Sequence, residues 1–549
     1  MRRFLIFVGT CFAGSAAAQT PPDAGRILQE IRPTPERPPA VTLPPIQAPA
    51  LPRPAIPAAE ADVRVNVSGF SFAGNSALSQ EALQLALANW SGKALSFGDL
   101  IQAVEKVEAT YRAAGYFLAQ AYLPPQKIKD GIIEIAIAEG RLGETRIEGE
   151  SLVSADVLFS YLDRLPKGEA ITLPVLERQI LLINELAGGR AALDMQAGEV
   201  PGTTDLVLAQ KAEDALSGRI ELNNHGSPST GEKRISANLI ANSPFALGDR
   251  FIGSALTTDT GKIRSYNLRY ELPLGGDGWR LTAGASRAEY SLGGAFTALG
   301  ASGTADAWRL GAAYPWIRSR DANLRFQIEV DQTALVDSFQ ASSTTLDKKS
   351  RGITFSANGD SNDDYLGGGG NRLDLTLRVG ELRLGNTAAA LDANGTDGRF
   401  SKLTLAAQRQ QTLSPELSLQ VQLSAQVTGK NLDSSEKLSL GGPTSLAGYA
   451  NGEAAGDEGV QARLALRWQA RSNFALTVFA DYARLRLNHN PLPTPATNHK
   501  RLSDAGIGAD WMIGKGFSAG AIVAWAGKEA PSPADNDKPR LWLSFGYGW

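Results

Sequence analysis

The sequence predicts a transmembrane β-barrel of about 16 antiparallel strands, preceded by two small modules of element order βααββ. Three observations carry this. From about residue 216 onward, segments of about ten residues alternate apolar and polar side chains, and no convincing helix interrupts them. Before that, residues 62 to about 211 run through one order of elements twice. The chain also opens with an export signal, yet no later apolar stretch is long enough to span a membrane as a helix.

Composition narrows the class. The chain has 549 residues, 43% hydrophobic and 20% charged, too many for one small domain and too apolar for a disordered chain. Its 54 basic and 57 acidic residues leave a net charge of -3. No basic surplus exists to neutralise phosphates, so nucleic acid is not expected as a partner. The single cysteine, Cys11, lies inside the signal, so a disulfide scaffold and a thiolate metal site are both set aside.

Residues 1–18 read as a signal peptide: Arg2 and Arg3, an apolar core from Phe4 to Phe12, and small residues Ala16, Ala17 and Ala18 before Gln19. Residues 19–61 combine one short helix with a Pro-rich linker. Asp23 is placed to cap a helix over 24–32, with Ile27, Leu28 and Ile31 on one side. It is too short to stand alone. The prolines from Pro33 to Pro57 forbid continuous helix and favour an extended tether.

Residues 62–141 form the first module. Val63, Val65 and Val67 alternate as a strand, Ser79 caps a helix through Trp90, and Ser96 starts a second that Gly115 ends. Strands at Phe117 to Tyr122 and Ile132 to Ala138 complete it. Residues 142–213 repeat the order, with a strand at Thr145 to Ile147, helices at Ser154 to Leu165 and Leu173 to Leu186, and strands at Ala191 to Met195 and Asp205 to Ala209.

Residues 214–549 are the barrel. Leu417, Leu419, Val421, Leu423, Ala425 and Val427 alternate with Ser418, Gln420, Gln422, Ser424, Gln426 and Thr428. Comparable segments start near residues 217, 233, 248, 263, 278, 304, 323, 348, 368, 398, 417, 460, 474, 501, 516 and 539. One face stays apolar throughout while the other carries Arg, Asp, Gln and Thr, as lipid outside and a wet lumen inside require. The last segment, Leu541, Leu543, Phe545, Tyr547 and Trp549, ends on the final residue of the sequence.

Several motifs resemble one family, the haemolysin activation/secretion proteins, also called TpsB transporters of two-partner secretion. Phe72-Ala73-Gly74-Asn75 with Leu78-Ser79 resembles the opening of its first POTRA module, and Gly115-Tyr116-Phe117, Tyr122 to Gln126, Gly131 and Glu139-Gly140-Arg141 resemble its close. Gly226 to Gly231 and Asn242 to Asp249 resemble the first barrel hairpin. The segment Asn431 to Gly459, with Leu440-Gly441-Gly442-Pro443, Leu446-Ala447-Gly448-Tyr449 and Gly456-Asp457, resembles the family's sixth outer loop, which folds back into the barrel. The resemblance implies an outer-membrane translocator that recognises an exported TpsA-type partner through periplasmic POTRA domains and secretes it without ATP. It further implies contact with outer-membrane lipid, a monomeric state, helix 24–32 as a lumen plug, and Phe545, Tyr547 and Trp549 as a signal read by the barrel-insertion machinery. A related barrel-assembly factor is the alternative. A passive porin does not explain the paired modules.

Two positions depart from the family pattern. The loop motif of the family reads Arg-Gly-Tyr or Arg-Gly-Phe, and Ala447 stands where Arg is expected. The matching wall motif, Phe-x-Asp-x-Gly, survives as Phe479-Ala480-Asp481-Tyr482-Ala483, with the Gly replaced. Asp481 shares a side with Thr477, opposite Leu476, Val478 and Tyr482, so it faces the lumen. Without the loop arginine it either finds another donor, such as Arg463 or Arg467 from the preceding strand, or stays solvated. The loop is therefore expected to be looser or differently anchored.

No catalytic or cofactor constellation emerges. Gly516-Phe517-Ser518-Ala519-Gly520 matches a nucleophile elbow but starts a strand, and no His follows it. Asp360, Asn362 and Asp364 open a calcium-loop pattern that fails at Tyr365 and Asn371. His225, His489 and His499 lack metal-site spacing. No nucleotide-binding loop is present.

Overall fold

The computed structural model describes residues 21–31, 64–200, 202–492, 497–527 and 538–549. The expected signal at 1–18 and the Pro-rich linker lie outside the described residues. Helix α1 spans Ala24–Glu30, and Asp23 caps it by accepting the Arg26 amide at 3.0 Å.

The first module contains β1 Arg64–Val67, β2 Gly69–Ala73, α2 Gln80–Ala86, β3 Lys93–Ser96, α3 Phe97–Ala113, β4 Gln120–Tyr122 and β5 Ile132–Ala138. Helix α3 starts in a capping box: the Asp99 amide donates to Ser96 Oγ (3.2 Å) while the Ser96 amide donates to the Asp99 carboxylate (2.8 Å). Its buried stripe, Leu100, Val104, Val107 and Tyr111, repeats every three or four residues. Helix α2 stops at Ala86, short of the expected Trp90, because the chain turns to enter β3. The second module contains β6 Arg141–Gly149, α4 Ala155–Leu162, α5 Leu173–Ile183, β7 Gly189–Ala197 and β8 Thr203–Ala212.

The two sheets have one topology. Their strand orders are β2-β5-β4 and β6-β8-β7, with the last strand of each module central, parallel to the first and antiparallel to the other. The repeated βααββ order is therefore a structural repeat. The first module adds a two-stranded ribbon, β1 with β3: the alternation at Val65 and Val67 marks this ribbon strand and not the first strand of the sheet, which is β2, and neither β2 nor the four-residue β3 was expected.

Glu139 locks the first module. It accepts the amides of Ser76 (2.7 Å) and Ala77 (2.6 Å), the Tyr111 hydroxyl (2.8 Å) and the Ser76 hydroxyl. Burial opposes its ionisation, but these donors outweigh that and hold its carboxyl below the usual range. Burial, reinforced by the hydrogen bond to Glu139, pushes the Tyr111 hydroxyl upward.

The barrel has 16 strands and closes on itself. They are β9 Leu216–Asn223, β10 Arg234–Asn242, β11 Arg250–Thr258, β12 Ile263–Leu274, β13 Trp279–Ser291, β14 Ala301–Arg318, β15 Ala322–Phe339, β16 Thr344–Asp363, β17 Gly369–Leu384, β18 Gly398–Thr412, β19 Leu417–Thr428, β22 Glu458–Arg471, β23 Phe474–Arg486, β24 His499–Gly514, β25 Phe517–Ala526 and β26 Arg540–Gly548. Between β17 and β18 an outer loop carries the short helix α6, Asn386–Ala390, and between β19 and β22 lie β20 Leu438–Leu440 and β21 Ala454–Gly456, paired only with each other. All barrel pairs are antiparallel, and β26 pairs with β9 to complete the closure demanded where no edge can face lipid.

The wall is uneven. Strands β14 to β17 run 18, 18, 20 and 16 residues, whereas β9 to β11 run 8 or 9. About ten suffice to cross lipid. The largest shift from expectation, β16 starting at Thr344 instead of near 348, falls on this tall side, where polar residues continue the ladder beyond the lipid.

The second module sits against the turns between β10 and β11, β12 and β13, and β14 and β15. The Ser154 amide donates to the Ala246 carbonyl (2.9 Å) and the Ala187 amide to the Gly248 carbonyl (3.1 Å). Glu185 meets Arg318 (2.7 Å), Arg325 (2.8 Å) and Arg280 (3.5 Å). Burial alone would raise its carboxyl; the three guanidinium groups of Arg325, Arg280 and Arg318 outweigh that and hold it low. This end of the barrel is periplasmic, and the opposite loops are external.

Candidate functional site: the lumen and the sixth loop

The loop between the eleventh and twelfth barrel strands folds into the barrel. The hairpin β20–β21 carries it inward, and its tip is seated against the wall. Leu446 and Ala447 are both 0% exposed. Ala447 packs with Ala465, Phe479, Ala524 and Trp542 in a small apolar pocket. Backbone groups of the tip hold it there. The Trp542 indole donates to the Ala447 carbonyl (2.7 Å), the Gly448 amide donates to Asp504 Oδ2 (2.6 Å), and the Tyr449 hydroxyl donates to the Ser503 carbonyl (3.0 Å). Gly448 is required by proximity: an added Cβ would lie 2.7 Å from the Ala526 nitrogen.

Asp481 faces this tip from β23. Its donor is Arg463, its register partner on β22, which forms two parallel bonds to the carboxylate at 2.7 Å each. The same guanidinium donates to the Ser445 carbonyl at 2.5 Å and lies over the Phe479 ring, 4.6 Å from its centroid. Arg467, the other candidate, pairs with Asp510 instead (2.7 Å). The cation that the family pattern carries on the loop is thus supplied by the wall, and it reaches back to the loop through a carbonyl. Ala447 fits because the place beside Asp481 is taken. The anchoring is different, and the tip is fully enclosed.

Further up, wall cations grip the loop's first limb. Lys348 meets Asp433 (2.9 Å), Arg378 meets Glu436 (3.1 Å), and Lys402 meets Glu436 (2.8 Å). Arg378 also bonds Asp331. Within the loop, Lys437 meets Asp457 (2.9 Å), which accepts the amides of Leu432 (3.1 Å) and His489 (2.8 Å).

Helix α1 lies in the outer half of the lumen. Ala24, Ile27 and Ile31 pack on Ile263, Ala288, Tyr290, Ala301, Ala305 and Leu335 of the inner wall. Its remaining contacts are polar. The Ala24 amide donates to Asp337 (2.7 Å), Asp23 meets Lys348 (3.1 Å) and accepts from the Ser434 hydroxyl (2.6 Å), and Glu30 pairs with Arg234. Gln29 donates to the carbonyls of Ser434 and Lys437, both at 2.9 Å, and Arg26 donates to the Gly452 carbonyl. Gly25 is pressed against the loop: an added Cβ would lie 2.5 Å from Ser434 Oγ.

The closing strand presents Leu541, Leu543, Phe545, Tyr547 and Trp549 outward. Phe517 stacks on Phe545 (5.8 Å) and Tyr547 (4.6 Å), and Tyr547 lies 6.0 Å from Trp549. Trp549 and Gly218 exchange backbone hydrogen bonds at 3.0 and 3.1 Å, and the indole covers Gly218 so closely that a Cβ would lie 2.3 Å from it. The Asn224 side chain extends this seam by bonding the backbone of Leu541 (2.9 Å) and Leu543 (2.6 Å).

Sequence reasoning missed Asp504 and the indole of Trp542. The alternation in β26 already put Trp542 opposite the lipid-facing row. Asp504 is the register partner of Asp481 on β24, but its target is a loop amide, which carries no sequence signal.

A closed outer-membrane barrel with periplasmic modules and a loop folded into its lumen defines a transporter of the POTRA–barrel class. The sequence profile of the haemolysin secretion/activation proteins ShlB/FhaC/HecB matches residues 202–509, and that of the ShlB-type POTRA domain matches residues 65–140. The chain belongs to this haemolysin secretion/activation family, and its POTRA domains are periplasmic. It is 26% identical over 476 residues to the heme/hemopexin transporter protein HuxB of Haemophilus influenzae (strain 86-028NP), covering 84% of this chain and 82% of that one. It is 24% identical over 388 residues to the outer membrane transporter CdiB of Dickeya dadantii (strain 3937), covering 67% and 66%. The solved structure of CdiB from Escherichia coli shares the fold, with a TM-score of 0.70 at 20% identity over 92% of this chain and 94% of that one.

Proposed function

We propose that this chain recognises an exported TpsA-type partner through its POTRA domains and passes it through the barrel without ATP. The observation that carries the reading is the short helix α1 in the lumen. Its apolar contact is confined to one side and its other contacts are polar pairs that water can take over, so it is a removable plug, and residues 19–61 act as plug and tether. Two-turn helices do not persist alone, so release also unfolds it. The edges of the module sheets, β2 and β4 in the first and β6 and β7 in the second, offer backbone groups to which an extended partner strand can add. Residues 1–18 direct export. Phe545, Tyr547 and Trp549 address the finished barrel to the insertion machinery, and the chain works as a monomer. The relatives named for heme/hemopexin transport support a protein-borne cargo of that general kind. Deleting this protein traps the partner, encoded by a neighbouring gene for a large repetitive exported protein, in the periplasm. Normal surface delivery of that partner would remove the reading.

A further inference from the structure

The outward rows of the tall wall change character above the lipid. On β17, Leu373, Leu375, Leu377 and Val379 face outward and are exposed, and Glu381 and Arg383 continue the same row. On β16, Phe355 and Ile353 are followed by Arg351 and Lys349. Ten residues separate Leu373 from Arg383, about 33 Å along the strand and about 25 Å along the membrane normal at a barrel's tilt. That is the height of the apolar band, so Arg383 stands at the outer headgroup level. The spacing recurs on β24, where Arg501 lies ten residues from the outward-facing Trp511.

At this level the ladder sets like charges directly opposite each other. Lys349 is the register partner of Arg383, and Arg484 is the register partner of Arg501; all four are exposed. Such pairs destabilise a sheet unless something bridges them. Arg351 and Arg399 flank the first pair, each opposite Glu381. Glu381 bonds Arg351 and Arg383, and Asp347 lies two residues beyond Lys349, so four cations face two carboxylates. Beside the second pair, Glu458 is taken by Arg486 (3.0 Å) and His489 (2.9 Å). The same height on β12 to β14 is different. There Arg264 is opposite Glu289 and Arg287 is opposite Asp306, and the charges balance.

The geometry points to two docking sites for phosphate-bearing headgroups of the outer-leaflet lipid, one at Lys349–Arg383 and one at Arg484–Arg501. A phosphate between two cations on adjacent strands removes their repulsion and accepts the guanidinium fork. A lipid anchored there bridges strands β16–β17 and β23–β24 on two sides of the barrel. The rows below the cations receive its acyl chains.

The test uses the full chain in phosphatidylcholine nanodiscs, with and without bisphosphorylated lipid A, and reads the thermal unfolding midpoint and the lipid retained in native mass spectrometry. The wild type gains stability and retains lipid A. Arg383→Gln combined with Arg501→Gln folds in pure phosphatidylcholine, because it relieves repulsion, but loses most of the gain and retains lipid about fivefold less per cation removed. Arg287→Gln, in the balanced patch, keeps the full gain. An undiminished gain in the double variant, no gain in the wild type, or an equal gain from inorganic phosphate alone would overturn the proposal.

Discussion

The lumen holds two inserted elements, and they are held in opposite ways. The tip of the sixth loop is seated in an apolar pocket, and Arg463, bonded twice to Asp481 at 2.7 Å, braces it from the wall. Helix α1 has an apolar contact on one side only; elsewhere polar pairs hold it, Glu30 to Arg234 on the wall, Asp23 to Lys348 and Ser434, and Gln29 and Arg26 to loop carbonyls. The first arrangement buries Leu446 and Ala447 completely and resists removal piece by piece. The second rests on polar groups, which water can take over together as the helix leaves. A fixed loop beside a removable plug is what the proposed secretion channel requires.

The comparison can be broken hardest at Arg463. Arg463→Ala leaves Asp481 at the loop pocket without its cation, and we expect a loss on the order of 3 kcal/mol in barrel stability, read by heat-dependent gel mobility. Adding Asp481→Ala should restore most of it, because the stranded charge is then gone. Next is Ala447→Arg, which forces a second guanidinium into a filled pocket beside Arg463. Single-channel recordings should show a displaced tip as raised and noisier conductance. Combining it with Arg463→Ala should quieten the channel, since the cation then approaches Asp481 from the loop. On the plug side, Asp23→Ala removes a helix cap, worth about 1 kcal/mol, together with the Lys348 and Ser434 contacts. Channel openings should become several-fold more frequent with the barrel's melting unchanged.

Much of this was legible in the sequence, and the reasons are physical. Period-two alternation located the strands, because lipid and water sort side chains on every one of them. The same parity turned Asp481 inward and offered two arginines of one strand as candidate donors, beside a solvated carboxylate. Choosing between Arg463 and Arg467 needed the register, since both have the right parity. The polar extensions of β14 to β17 go beyond the segments of about ten residues that alternation marks, because no lipid distinguishes one face there. The ties between helix α1 and residues 434, 437 and 452 join segments some four hundred positions apart through backbone carbonyls, and no residue type announces a carbonyl.

The smallest effect is one of pH, and it lies outside the lumen. Glu139 and Glu185 both have carboxyls held below the ordinary value of 4.5. A depressed folded value means that their stabilisation is complete above that pH and is lost as pH falls below it through the folded value. Acid titration should therefore loosen the first module and the joint to the barrel before the barrel itself, and limited proteolysis should cut there first. Glu139→Gln should remove the acid-sensitive step of the first module only.

The most direct measurement locks each inserted element in turn. The Asp23 carboxylate and the Ser434 hydroxyl meet at 2.6 Å, and the Ser445 hydroxyl and the Gln461 side chain at 3.2 Å, so a Cys pair at each can be joined by a short cross-linker that reductant cleaves. Secretion of the partner is then followed in oxidising and reducing conditions. The account predicts that the Cys pair replacing Asp23 and Ser434 stops secretion until reductant is added, while the pair replacing Ser445 and Gln461 secretes in both. Secretion that continues with the plug locked, or stops with only the tip locked, would contradict it.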